Sequence, residues 1–240
     1  MTSICLKGDC LELMKDLSNN SIDLFICDLP YGCLGSGGGG CAWDIKIDLE
    51  KFWIEIKRLS KNDKTPILMF CNTKFGVDLI NSNPSWFRYE LIWNKIRGVS
   101  FLLANKMPMK CHEMIYVFSK KGCHYNRIDD FIDGKDAYTR RRATSSVTYA
   151  LSKMRADKYK LKKPLVIQEE GMRCVLSIIN ISMKRDKKHT TAKPIELYDW
   201  LIKRYSNEGD TILDPTAGSF NSGRSALGLE RKYIGMEMNE

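Results

Sequence analysis

Asp28, Leu29, Pro30 and Tyr31 stand together directly after an apolar run, Ser21–Cys27. A carboxylate placed there accepts one hydrogen bond, and the backbone carbonyl of Leu29 accepts another. Two convergent acceptors suit the two N–H donors of a primary aromatic amine, such as that of adenine. Pro30 stiffens the turn, and the Tyr31 ring can stack on a flat base. The same four residues also fit an ordinary strand-to-turn junction, so the string alone leaves both readings open.

A second group lies near the other end: Asp214, Pro215, Thr216, Ala217, Gly218, Ser219, Phe220 and Asn221, continuing through Ser222 to Gly223. It follows a short apolar run, Thr211–Leu213, and precedes a helical stretch, Gly223–Leu229. Glycines permit a tight turn there and let a ligand approach the backbone. Glu237 ends the next apolar run, at a distance that suits an acid for ribose hydroxyls. A purely structural turn is the alternative. The following acid favours a nucleoside cofactor.

The elements that must position these groups read as alternating strands and helices. Pro66–Cys71, Tyr89–Trp93, Glu113–Phe118 and Tyr233–Met236 have the apolar character of strands. Leu49–Leu59 carries Leu49, Phe52, Trp53, Ile56 and Leu59 at helical spacing, and Pro194 opens a second helix to Tyr205. Such alternation predicts an α/β fold, a mostly parallel sheet with helices on both faces. Ligands of such sheets sit beyond the carboxyl ends of the strands. Gly35–Gly40 is a glycine-rich stretch, expected as a loop that closes over the site or tracks a ligand.

The chain has 240 residues and a net charge of +9. Between Lys120 and Lys163, thirteen bases stand against five acids, +8 of that excess. A basic segment of this kind suits phosphate binding, or else a solvated surface. Nine cysteines without a Cys-x-x-Cys pair favour free thiols over a disulfide framework. Cys111-His112 and Cys123-His124 fit no zinc spacing, because neighbours in a strand point to opposite faces; no metal is expected. No secretory leader is read at the start, and no apolar run nears the roughly 18 residues of a membrane span. A cytoplasmic protein is expected, bacterial or from a phage in its host.

Taken together, these motifs resemble the amino-methyltransferases of DNA. Asp28–Tyr31 resembles their Asp/Asn/Ser-Pro-Pro-Tyr motif, with leucine second. Asp214–Phe220 resembles their Asp-Pro-x-x-Gly-Ser-Gly cofactor motif, with phenylalanine last. His189-Thr190-Thr191-Ala192-Lys193-Pro194 is similar to the element preceding that motif. Trp43-Asp44, Trp93-x-Lys95 and His112-Glu113 are further family-like features. With the catalytic motif first and the cofactor motif last, the order is that of the circularly permuted beta class. Ile4–Lys7 then looks like the strand that follows Glu237 in the unpermuted order, with Asp9 at its end.

The resemblance implies a Rossmann-like S-adenosylmethionine-dependent methyltransferase fold over residues 1–120 and 186–240. Residues 121–185 would be an inserted target-recognition region. It implies methyl transfer to the N6 amine of a flipped-out adenine in double-stranded DNA, with a restriction-modification setting. Asp28, Leu29, Pro30 and Tyr31 would be catalytic. Asp9, Asp28, His189, Thr191, Lys193, Asp214–Asn221 and Glu237 would serve the cofactor, and Asp9 could equally cap a helix. Phe220 could narrow the pocket for the methionine moiety. Arg140, Arg141, Arg142, Lys153 and Arg155 would touch DNA, at phosphates or at base edges. Cytosine N4, an RNA or protein amide, and an inactive DNA-binding protein of the same fold are the competing readings. A homodimer is left open.

Overall fold

In a computed structural model, the protein is described over residues 2–32, 44–99, 101–128, 130–131, 172–183 and 192–238. The strands are β1 (Ser3–Lys7), β2 (Leu24–Cys27), β3 (Ile67–Cys71), β4 (Phe87–Val99), β5 (Lys110–Phe118), β6 (Asp130–Phe131), β7 (Met172–Arg173), β8 (Ile178–Asn180), β9 (Thr211–Asp214) and β10 (Lys232–Glu237). The helices are α1 (Cys10–Leu13), α2 (Leu49–Leu59), α3 (Thr73–Ser82), α4 (Ile195–Tyr205) and α5 (Asn221–Gly228). Two compact units are present, residues 1–126 with 176–240, and residues 127–175. The described residues of the second unit include the antiparallel pair β6–β7.

The first unit is built on an eight-stranded sheet of order β1-β10-β9-β2-β3-β5-β4-β8. All neighbours are parallel except at β5, which runs against both β3 and β4. β2 and β3 are buried at every residue, as strands covered on both faces must be. Their alternate residues divide between two cores. Phe25, Cys27, Ile67, Met69 and Cys71 join α2 and α3 on one face. Leu24, Ile26, Leu68 and Phe70 join α4 on the other.

Local chemistry sets the helix starts. Asp48 caps α2, accepting from Glu50 N and Lys51 N. Lys57 and Arg58 lie in its last turn, where cations suit the helix dipole. Asn72 caps α3 through Phe75 N. That helix has no counterpart in the sequence reading. Its apolar residues are Phe75, Val77, Leu79 and Ile80, but Val77 is exposed and Gly76 and Asp78 interrupt the pattern.

Chain start and chain end meet in the sheet. β1 pairs in parallel with β10, Lys7 opposite Glu237, and Gly8 N donates to Glu237 O at 3.0 Å. The first unit also takes in more chain than the charge pattern suggested. Lys121 N bonds to Asp63 O, His124 N to Lys64 O and Asn126 N to Arg204 O. β8 adds to the sheet edge beside β4. The reason is backbone pairing, which charge composition does not report.

Candidate active site

Five parallel strands deliver their carboxyl ends to one edge: β1 before Asp9, β10 at Glu237, β9 at Asp214, β2 before Asp28 and β3 before Asn72. Asp28 follows fully buried β2 and is partly exposed. The Tyr31 hydroxyl donates to Asp28 Oδ1 at 2.9 Å. Burial, and then the Asp28 charge, push the Tyr31 phenol far above its ordinary range, so it stays a donor. The Tyr31 ring stacks on Phe75, centroids 5.2 Å apart. Leu29 is buried in the first core and anchors the turn. Gly32, with φ +65°, donates its N–H to buried Asp44 Oδ1 at 2.9 Å. That bond joins the two described ends of the segment 33–43.

Asp28 has a second partner. The ammonium of Lys193, itself buried, donates to Asp28 Oδ2. It also lies 3.8 Å from Glu113 Oε2 and 4.4 Å over the Phe70 ring. Glu113 Oε1 in turn accepts from Lys95 Nζ at 2.5 Å. Burial alone would raise the Glu113 carboxyl, but Lys193 and Lys95 outweigh it and hold the group below its usual range. The result is a line of alternating charge, Lys95–Glu113–Lys193–Asp28. Lys193 was expected among the cofactor-binding residues; its ammonium bridges to Asp28 of the Asp28–Tyr31 motif. Asn221 fixes the Lys193 backbone, donating from Nδ2 to its carbonyl at 2.9 Å. Glu113 and Lys95 were noticed only as family-like residues. They reach the site because β5 runs backwards, so its start lies at the edge where the other strands end.

The turn after β9 is held from within. Asp214 is buried; Thr216 N donates to its Oδ1 at 3.1 Å and the Ser222 hydroxyl to its Oδ2 at 2.5 Å. Ser222 also bonds the Tyr233 hydroxyl at 2.8 Å. Burial raises the Asp214 carboxyl to about 7, against the pull of these hydrogen bonds. A carboxylate so enclosed shapes the turn in which the cofactor-binding residues were expected. Gly223 lets α5 lie on Tyr233; an added Cβ there would come within 2.6 Å of the ring.

Glu237 stands over the turn. Its Oε2 accepts from Gly218 N at 2.9 Å and its Oε1 from Met238 N at 3.1 Å. Ala217 N bonds Met236 O at 2.8 Å, tying the turn to β10. Pro215 and Ala217 are buried, while Ser219 and Asn221 are half-exposed. Phe220 takes a left-handed conformation, φ 55° and ψ 22°, at the start of α5. This is a glycine conformation, which explains why glycine would suit the place. The Phe220 ring packs on the second core beside Gly235. Asp9 is exposed and caps α1, accepting from Leu11 N at 2.8 Å. His189, Thr191, Arg140, Arg141, Arg142, Lys153 and Arg155 lie outside the described residues.

Among the described residues, the thiols near these strand ends are held protonated. Burial pushes Cys10 and Cys71 up to about 12 and Cys27 well above its usual value. Among the described residues, no group of three His, Cys, Asp or Glu side chains is placed to hold a metal, and no helix is long and apolar enough to cross a membrane.

A DNA methylase family model covering the N6 and N4 amino enzymes matches residues 22–240. The chain belongs to this family. It is 28% identical to Type II methyltransferase M.HinfI of Haemophilus influenzae, over 98% of this chain and 64% of that protein. It therefore spans less than two thirds of M.HinfI's length. It is 26% identical to DNA adenine methyltransferase YhdJ of Escherichia coli K12, over 98% of this chain and 78% of that protein. The fold is shared with the crystal structure of an M1.HpyAVI–SAM complex, TM-score 0.61 at 18% identity, covering all of this chain and 95% of the other. It is shared equally with the cytosine-N4-specific PvuII DNA methyltransferase, TM-score 0.59 at 14% identity, covering all of this chain and 83% of the other. The fold by itself therefore does not choose between the two amines.

Proposed function

We propose that this DNA methylase transfers a methyl group from S-adenosylmethionine to the N6 amine of adenine in double-stranded DNA. The observation that carries the reading is Asp28: a carboxylate at a strand end, gripped by Tyr31 and Lys193, one strand away from the Asp214–Phe220 turn. When bound, S-adenosylmethionine supplies an electrophilic methyl group on a sulfonium. The turn fits a nucleoside of this kind. A Cβ at Gly218 would meet only the Thr216 carbonyl oxygen, at 4.0 Å, so the backbone is open to a ligand. The Thr216 hydroxyl is buried and lacks a partner among the described residues. Glu237 is the acid for the ribose hydroxyls, and Asp9, at the neighbouring strand end, the acceptor for the adenine amine of the cofactor.

On the substrate side, Asp28 and the Leu29 carbonyl each accept one N–H of the target amine. This orients the nitrogen lone pair out of the ring plane. A carboxylate has about four acceptor positions, so Asp28 keeps Tyr31 and Lys193 while it takes the amine. Tyr31, backed by Phe75, stacks on the extracted base. Much of the rate comes from this positioning, and the carboxylate stabilises the positive charge that builds on nitrogen. Within the 121–185 segment, the part outside the first unit, residues 127–175, serves target recognition, with Arg140, Arg141, Arg142, Lys153 and Arg155 at phosphates or guanine edges; the support is their charge.

Aspartate at the first motif position favours adenine, as does the likeness to YhdJ. Cytosine N4 offers the same two donors, and the PvuII enzyme has the same fold. Unmethylated DNA treated with labelled S-adenosylmethionine, digested to nucleosides and analysed by mass spectrometry separates them. N6-methyladenine is expected. N4-methylcytosine as the sole product overturns the choice of base, and no labelled base overturns the function.

A further inference from the structure

The β4–β5 hairpin carries its apolar residues outward. Phe101 is 76% exposed and Leu102 94%, and Leu103 and Met107 are exposed beside them. Contiguous exposed apolar residues mark a surface that another molecule covers. The tip is a formed structure. Residues Phe101–Leu103 make a turn of 3-10 helix, Ala104 N bonds Phe101 O at 3.0 Å and Lys106 N bonds Leu103 O at 2.8 Å. Asn94 Oδ1 accepts from Ile96 N, Ile96 takes φ +66°, and the β4–β5 register shifts between Asn94 and Val99. The hairpin is therefore bent at its root, where Trp93 pairs with Glu113.

That root belongs to the site. Glu113 is one ion pair from Lys193 and two from Asp28. Lys110, at the base of the returning strand, acts on the Glu113 carboxyl. From Leu91 to His112 the chain has four bases, Lys95, Arg97, Lys106 and Lys110, and no acid. Lys95 is taken by Glu113; the other three are exposed. Charge decides between the partners such a tip could have. A second copy of the chain in a two-fold dimer would set this patch against itself, cation on cation. A polyanion with flat apolar surfaces inside it satisfies both features at once.

We infer that the 101–109 tip is a second DNA-contacting element, apart from the basic 121–185 region. Phe101 and Leu102 enter the duplex where the target base leaves the stack, while Arg97, Lys106 and Lys110 hold the phosphates alongside. An apolar wedge offsets part of the unstacking cost, a few kcal/mol per base step. Because the tip is already folded, little ordering is paid on contact. The inference rests on the DNA reading of the Asp28 site but not on which amine is methylated.

The test is a binding measurement on the whole chain, by fluorescence anisotropy, with two 30-base-pair probes of one sequence. One probe is intact and the other has a central abasic site. The wild-type protein should prefer the abasic probe by about tenfold, because Phe101 and Leu102 then enter a ready gap without displacing a base. F101S/L102S should abolish that preference and change affinity for the intact duplex by no more than about twofold. These residues are exposed, so the fold should tolerate the change. R97Q/K106Q/K110Q should weaken both probes and lower the slope of log affinity against log salt by about 2 to 3. Persistence of the preference in F101S/L102S, or its absence in the wild type, overturns the inference. So does a shift of F101S/L102S from dimer to monomer in sedimentation with the preference intact, which would make the tip a subunit contact. A protein that shows the preference but methylates no base fails the functional reading instead.

Discussion

Replacing Asp214 by asparagine should remove a pH-dependent weakness from the fold. Asp214 is 3% exposed, and burial lifts its carboxyl from 3.8 to about 7. Between those values the folded protein holds a proton that the unfolded chain has released. Stability from this group therefore falls as pH rises from about 4 to about 7, and is flat above. At 1.36 kcal/mol per unit, the whole shift is worth about 4 kcal/mol as an order of magnitude. Asparagine keeps an acceptor for Thr216 N–H, and its amide can donate to Ser222, whose hydroxyl can then turn to Tyr233. Urea unfolding of both proteins from pH 4.5 to 8.5 measures the difference, and other titrating groups largely cancel. The asparagine variant should gain on the wild type with rising pH up to about 7, and no further. Asp214→Ala instead leaves the Thr216 N–H without its acceptor at about 1–3 kcal/mol, and should be less stable than the asparagine variant at every pH. A difference between wild type and asparagine variant that does not change with pH would refute the buried-charge reasoning.

Asp28→Ala should abolish methyl transfer while S-adenosylmethionine binding, by calorimetry, changes little; near-normal turnover would remove Asp28 from the chemistry. Glu237→Ala should weaken cofactor binding by about 1–3 kcal/mol, and an unchanged titration would reject it as the ribose acid. Phe220→Ala should unfold more easily than Phe220→Gly by about 1 kcal/mol, because both lose the ring but only alanine keeps the left-handed strain. Equal unfolding midpoints in urea would show that the conformation costs nothing.

Much of the first unit was legible because its strands obey a simple rule. A strand covered on both faces must be apolar throughout, so the runs Ser21–Cys27 and Pro66–Cys71 contain β2 and β3 and share their ends at Cys27 and Cys71. The helix Leu49–Leu59 showed its period for the complementary reason: only one face is buried. β8 was hidden because three residues with one buried side chain carry no period. Phe220 was legible as a misfit to a motif, but its physical meaning needed the backbone. Only φ shows that the position demands a glycine conformation, and only packing shows the ring on the second core.

The charge line to Asp28 was illegible for a topological reason. Lys95, Glu113, Lys193 and Asp28 come from β4, β5, the segment before α4 and the end of β2, and no local spacing relates them. They meet because β5 alone is antiparallel, which brings its first residues to the edge where the others end. The arrangement also bears on what Lys193 can do. Its ammonium is buried between two carboxylates, and its loss would leave Asp28 to Tyr31 and Glu113 to Lys95 alone. Asp28 is therefore held in one place by Lys193 as firmly as by Tyr31. A carboxylate that must meet an N–H donor within a few tenths of an ångström gains from being fixed before the donor arrives. Lys95 and Glu113 extend that fixation into β4 and β5, so the strands that carry the hairpin tip also anchor Asp28, the acceptor proposed for the amine.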